Sequence, residues 1–145
     1  MNARADHLIL PEITFPLTIY YDASCALCRT EMEAIKAADR HEQLLLVDCS
    51  NTGMAPPASC PVTREAMMSR IHAQDATGRW ISGVDVFAVA YSVTGYTSLA
   101  TFWSSRRLRP ILSRLYPLVA DHRWWLSKTP LPKCMGFFLR KLAKK

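Results

Sequence analysis

No stretch of this chain is apolar for long enough to cross a bilayer: no run approaches the ~18 residues that a membrane-spanning helix requires. Met1-Asn2-Ala3-Arg4-Ala5-Asp6 leads into no signal-peptide core, because Pro11, Glu12 and Pro16 interrupt the next ten residues. These two absences predict a cytosolic protein. Internal repeats are absent, and 145 residues fit one domain long enough to bury a core without disulfide support. Acid is scarce at one end. Residues 100–145 carry eleven basic side chains against Asp121 alone, a net of +10, whereas residues 1–99 carry seven basic and eleven acidic ones, a net of −4. With no nucleic-acid-binding motif beside it, the basic end reads either as a solvated face or as a contact for an anionic membrane surface or acidic protein. No nucleic-acid partner is expected.

What is present is a close pair of cysteines, Cys25 and Cys28, placed where an apolar, β-branched run gives way to helical spacing. Leu17-Thr18-Ile19-Tyr20-Tyr21 reads as a buried strand, Asp22-Ala23-Ser24 as a turn, and Cys25 to about Ala38 as a helix. At the start of a helix, unpaired amide N–H groups and the positive end of the dipole favour a thiolate over a thiol. Cys25, nearest the exposed helix end, is therefore the candidate nucleophile, and Cys28, one turn inward, the candidate resolving thiol. Asp22 is a candidate proton acceptor through water for Cys28, or else a turn-former and helix cap in competition with Ser24. Arg29 reads as a thiolate-stabilising charge or a solvated one.

The remaining cysteines form no second tight pair. Eleven positions through a proline-rich loop separate Cys49 from Cys60, which argues against a closed zinc site with Cys25 and Cys28, and Cys134 stands alone. Neither a metal nor an organic cofactor is expected. His72 reads as a surface or packed side chain, and Trp80, Trp103, Trp124 and Trp125 as packing between elements.

Along the chain, Gln43–Asp48 is a second buried strand that completes a right-handed βαβ unit. Cys49–Pro61 is a loop and Val62–Met68 a short helix or turn. Ser69–Asp75 and Arg79–Ile81 form a hairpin about Ala76-Thr77-Gly78, and a helix runs from Val84 to about Thr94, stopped by Gly95. This order, βαβ then ββα, predicts an α/β thioredoxin-like mixed sheet covered by helices. Helical segments over Leu99–Ser104, Leu108–Tyr116 and Pro117–Leu126 extend it from about residue 97. The predicted organisation is an N-terminal segment at 1–16, a domain at 17–127, and a basic tail at 128–145, where Thr129-Pro130-Leu131-Pro132 breaks the chain before a short amphipathic helix from Cys134.

Ile19-Tyr20-Tyr21-Asp22-Ala23-Ser24-Cys25-Ala26-Leu27-Cys28-Arg29, with Leu46-Val47-Asp48, Gly78-Arg79-Trp80-Ile81-Ser82-Gly83-Val84-Asp85-Val86-Phe87, Leu115-Tyr116 and His122-Arg123 further along, resembles the DCC family of thiol-disulfide oxidoreductases over about residues 17–127. The resemblance implies a thioredoxin-like fold with a dithiol site at Cys25 and Cys28. Ala23 and Ala26 stand where that family commonly has glycine and proline. Met67-Met68-Ser69 occupies the stretch where thioredoxins carry the cis-proline that docks a substrate backbone. The expected activity is disulfide exchange with a disulfide-bearing protein or small thiol, with electrons drawn from a reducing thiol system. The alternative is a non-enzymatic thioredoxin-like interaction module whose basic end docks on an anionic membrane surface or protein.

Overall fold

In the computed structural model, which describes residues 10–57 and 60–143, four strands form one sheet: β1 (Leu17–Tyr21), β2 (Leu44–Asp48), β3 (His72–Gln74) and β4 (Trp80–Ser82). Their spatial order is β2-β1-β3-β4; β1 and β2 are parallel, and the other two pairings are antiparallel. The mixed α/β, thioredoxin-like sheet is thus the one expected. Residues 1–9 of the N-terminal segment, and Lys144 and Lys145 of the basic tail, lie outside the described residues.

Alternation along the strands sorts side chains onto two faces. Leu17 and Ile19 of β1, Leu44 of β2, Ala73 of β3 and Ile81 of β4 point into the main core. There they meet Met32 and Ile35 of α1 (Ala26–Ala38) and Val86, Phe87, Val89 and Ala90 of α3 (Val84–Val93). Tyr20 and Trp80, on the opposite face, pack with Met67 of α2 (Arg64–Ser69). The hairpin turns at Gly78, whose φ of +90° suits glycine, while Asp75 accepts the N–H groups of Thr77 and Arg79 at 2.8 and 3.0 Å.

The C-terminal part is helical as expected but divided differently. After α4 (Thr97–Ser104), a single helix α5 (Arg109–Asp121) runs straight through Pro117, where a boundary was expected. Proline removes one N–H and so frees the carbonyl four residues back, at Ser113; that residue is exposed, where water can replace the bond. A five-residue helix α6 (Arg123–Ser127) comes next, and then α7 (Leu131–Ala143). Leu131-Pro132 does not break the chain but opens α7, since proline suits the first turn, where its missing N–H has no partner to lose. The helix of the basic tail packs on α1 and the main core. A Cβ at Gly136 would come within 2.9 Å of Thr30 on α1, and Leu139 is 2% exposed within the main core.

Candidate redox site

The dithiol lies at the rim of the sheet where β1 ends and α1 begins, and the cap of that helix is Cys25 itself. Its backbone is extended, and its Sγ accepts the N–H of Cys28 at 3.3 Å. Ser127 of α6 approaches from the other side. Its Oγ accepts the N–H of Leu27 at 3.3 Å and lies 3.5 Å from Cys25 Sγ, so the hydroxyl proton is free to point at sulfur. The sulfur thus sits against one amide donor and one hydroxyl.

Neither Asp22 nor Ser24 caps α1, contrary to expectation. The Asp22 carboxylate is spent elsewhere: Oδ1 accepts the Ser24 N–H at 3.0 Å and also the Ser24 hydroxyl, while Oδ2 pairs with Arg123 Nη2 at 3.1 Å. Of the roles weighed for Asp22, that of turn-former matches these contacts. Arg29 is exposed and braces the turn by donating to the Ala23 carbonyl at 3.3 Å.

The Cys25 thiol is held down to about 6. A hydrogen bond from the Cys28 side chain lowers it most; burial opposes this, and Ser127, the Cys28 N–H and the charge of Arg123 add to the lowering. Cys28 moves the other way, raised first by that same bond, then by burial and by the charge of Cys25. The same bond thus favours the thiolate at Cys25 and the thiol at Cys28.

Exposure departs from what helix-end placement predicts. Cys25 is 0% exposed, because α6 lies over it, whereas Cys28 is half-buried and lines a cavity of about 420 Å³. Glu31, one turn beyond Cys28 on α1, lines the same cavity beside Met32 and Phe87 and accepts a hydrogen bond from the Tyr91 hydroxyl. Burial pushes its carboxyl up to about 7, against the lowering effect of Tyr91. Sequence reading missed Glu31. The available signal was an acid on the helix face that also carries Leu27 and Cys28, three or four residues away.

The backbone beside the dithiol is already bonded. The Ile71 N–H donates to the Tyr116 hydroxyl at 2.8 Å, and Arg123 Nη1 donates to the Ser69 carbonyl at 3.1 Å. The later residues of the motif, Tyr116 and Arg123, thus fasten α5 and α6 to the segment entering β3.

The other cysteines stay apart from this site, and all five are free thiols. Cys49 is buried near Met67, with burial pushing its thiol up to about 11, Cys60 donates to the Val62 carbonyl at 3.1 Å, and Cys134 is exposed. Among the described residues no three His, Cys, Asp or Glu side chains gather as metal ligands would. The His72 Nδ1 lies 2.9 Å from the Arg70 carbonyl. Trp80 packs on Tyr20 and Trp103 on Phe87, as expected for packing residues, but Trp124 and Trp125 are 50% and 67% exposed.

A similar protein is an uncharacterized chloroplastic protein of Arabidopsis thaliana, 23% identical over 115 residues, which are 79% of this chain and 54% of that protein. The chain thus spans about half the length of that relative. No solved structure matches this chain. A family model described as DCC1-like thiol-disulfide oxidoreductase matches residues 19–129, from β1 through the dithiol, Tyr116 and Arg123 to the end of α6, and the chain belongs to that family.

Proposed function

We propose that this protein exchanges disulfides through Cys25 and Cys28, with a small, largely apolar disulfide as its substrate. The observation that carries this reading is the seating of Cys25: its Sγ caps α1 at 3.3 Å from the Cys28 N–H and lies 3.5 Å from Ser127 Oγ, contacts that favour a thiolate there, while the Cys28 thiol is pushed up.

Because α6 covers Cys25 and Cys28 alone of the pair lines the cavity, α6 first moves aside; the Cys25 thiolate then attacks one sulfur of the substrate disulfide, exchanging its Ser127 contact for the incoming sulfur. The substrate S–S bond breaks, one thiolate leaves, and a mixed disulfide joins Cys25 to the other half. Cys28 then gives up its proton and attacks Cys25 Sγ, expelling the second half of the substrate as a thiolate and leaving a Cys25–Cys28 disulfide. Glu31, an acid one turn away whose carboxyl is at about 7, is the acceptor for that proton. Asp22, with its oxygens committed to Ser24 and Arg123, anchors α6 and transfers no proton. An external thiol system reduces the protein disulfide and closes the cycle.

Two features favour a small apolar substrate over an extended peptide. The cavity beside Cys28 has the volume of a small-molecule site and is walled mainly by apolar side chains. The Ser69 carbonyl and the Ile71 N–H, on the segment beside the dithiol, are already taken by Arg123 and Tyr116.

The test is turnover of an aromatic model disulfide with a dithiol regenerant. Wild type accelerates it above the regenerant alone and Cys25→Ser does not; equal rates reject the reading. Serine is itself a preferred helix cap, so α1 survives the substitution.

A further inference from the structure

Apart from Leu10 and Leu45, every large apolar side chain that stands exposed among the described residues lies between Phe102 and Phe138. They are not scattered singly, as on an ordinary solvated surface. Ile111, Leu115, Leu118 and Val119 recur at i, i+4, i+7 and i+8 along α5 and form one outward stripe, each between 45% and 56% exposed. Leu115 and Val119 are also walls of the cavity that holds Cys28, together with Phe102 and Leu131. Phe138, two turns on from Leu131, extends the band along α7. The cavity therefore has an apolar rim belonging to three helices.

Charge selects the occupant. Arg106, Arg107, Arg114, Lys128 and Lys133 are exposed and make no ion pair among the described residues. The single acid of residues 100–145, Asp121, is already paired with Arg70 at 2.9 Å. A second copy docked symmetrically through this same face would bring like charge against like charge. An anionic lipid surface instead supplies both halves of what this band requires, hydrocarbon for the stripe and phosphate for the cations. Trp124 and Trp125, exposed on α6, have the amphipathic rings found at headgroup depth.

We propose that the helical appendage docks on the surface of an anionic phospholipid bilayer through the outer stripe of α5 and the rim of the cavity, so that the cavity opens toward the acyl chains. No described helix is long and apolar enough to cross a membrane, so the contact is peripheral. The cavity is the one proposed above to take the apolar disulfide, but vesicle binding is read without turnover and so does not depend on that chemistry.

The full chain is to be sedimented with vesicles of equimolar phosphatidylcholine and phosphatidylglycerol, and with vesicles of phosphatidylcholine alone. It binds the anionic vesicles and leaves the neutral ones in the supernatant. Binding falls at least about tenfold in ~1 M salt, where charges more than ~3 Å apart are screened. Replacing both Leu115→Ser and Leu118→Ser weakens binding about tenfold through lost apolar burial. Leu45→Ser, at an exposed leucine of β2, leaves it unchanged and controls for loss of folding. No binding to anionic vesicles at low salt overturns the proposal, as does binding that the α5 pair leaves intact. A dimer abolished by the α5 pair, without vesicle binding, likewise overturns it and assigns the stripe to self-association.

Discussion

At Cys25 one atom carries two tasks that proteins usually divide: the sulfur closes the first turn of α1 and is the thiol of the site that is held down, to about 6. The two are linked, because the N–H that the cap satisfies is also a donor that stabilises the thiolate. Glu31 presents the opposite case, a carboxyl whose charged form is disfavoured by its surroundings. Its pKa in the folded protein is raised above the unfolded value of ~4.3, so its contribution to stability is fully present below that pH and is lost as pH rises through about 7. Glu31→Gln therefore raises the melting temperature by a few degrees in mildly alkaline buffer and has little effect in acid, as calorimetry across that window will show. An equal shift at both ends would mean that the carboxyl is not ionising in place. In turnover assays the same variant slows the release of the second thiol without slowing the first.

Among the elements, α6 does the most for its size. Five residues supply Arg123 to Asp22 and Ser69, and Ser127 to Cys25 and Leu27. The Asp22–Arg123 pair is nearly dry, with side chains 1% and 12% exposed, so removing the arginine strands a buried carboxylate. Arg123→Ala is expected to cost about 3–5 kcal/mol in denaturant unfolding and to raise the apparent pKa of Cys25, since a nearby cation and the seating of Ser127 are lost together. Unchanged stability would contradict this role for α6. The strands and the hairpin were legible in the sequence because alternation and the turn chemistry of Asp75 and Gly78 are local signals. The dithiol was legible for the same reason: strand, turn and helix meet within a few residues. Arg123, Ser127 and Glu31 were not, because their roles depend on which helix packs over the rim, and nothing in local spacing fixes that. Pro117 was misread because its penalty depends on whether the freed carbonyl meets water.

For the molecule as a whole, α7 decides whether the basic end is part of the domain. Gly136 lets α7 approach α1 at Thr30, on the helix that bears both catalytic candidates, and Leu139 completes the core. Gly136→Val forces apart two helices with no room between them and is expected to lower stability by about 1–3 kcal/mol, measured by thermal or denaturant unfolding. A detached tail would tolerate it without change. The charge asymmetry was plain in the sequence, but the apolar band beside it was not, since its members lie on three helices and Phe102, Leu115, Val119 and Leu131 meet only around the cavity.

The most direct measurement is a pH titration of thiolate ultraviolet absorbance in protein with Cys49, Cys60 and Cys134 replaced by serine, with Cys25→Ser as the blank. The predicted midpoint is about 6, and it rises when Cys28→Ala removes the hydrogen bond that contributes most to the lowering. A midpoint at or above the free-thiol value of ~8.5 would contradict the assignment of Cys25 as the ionised, attacking sulfur.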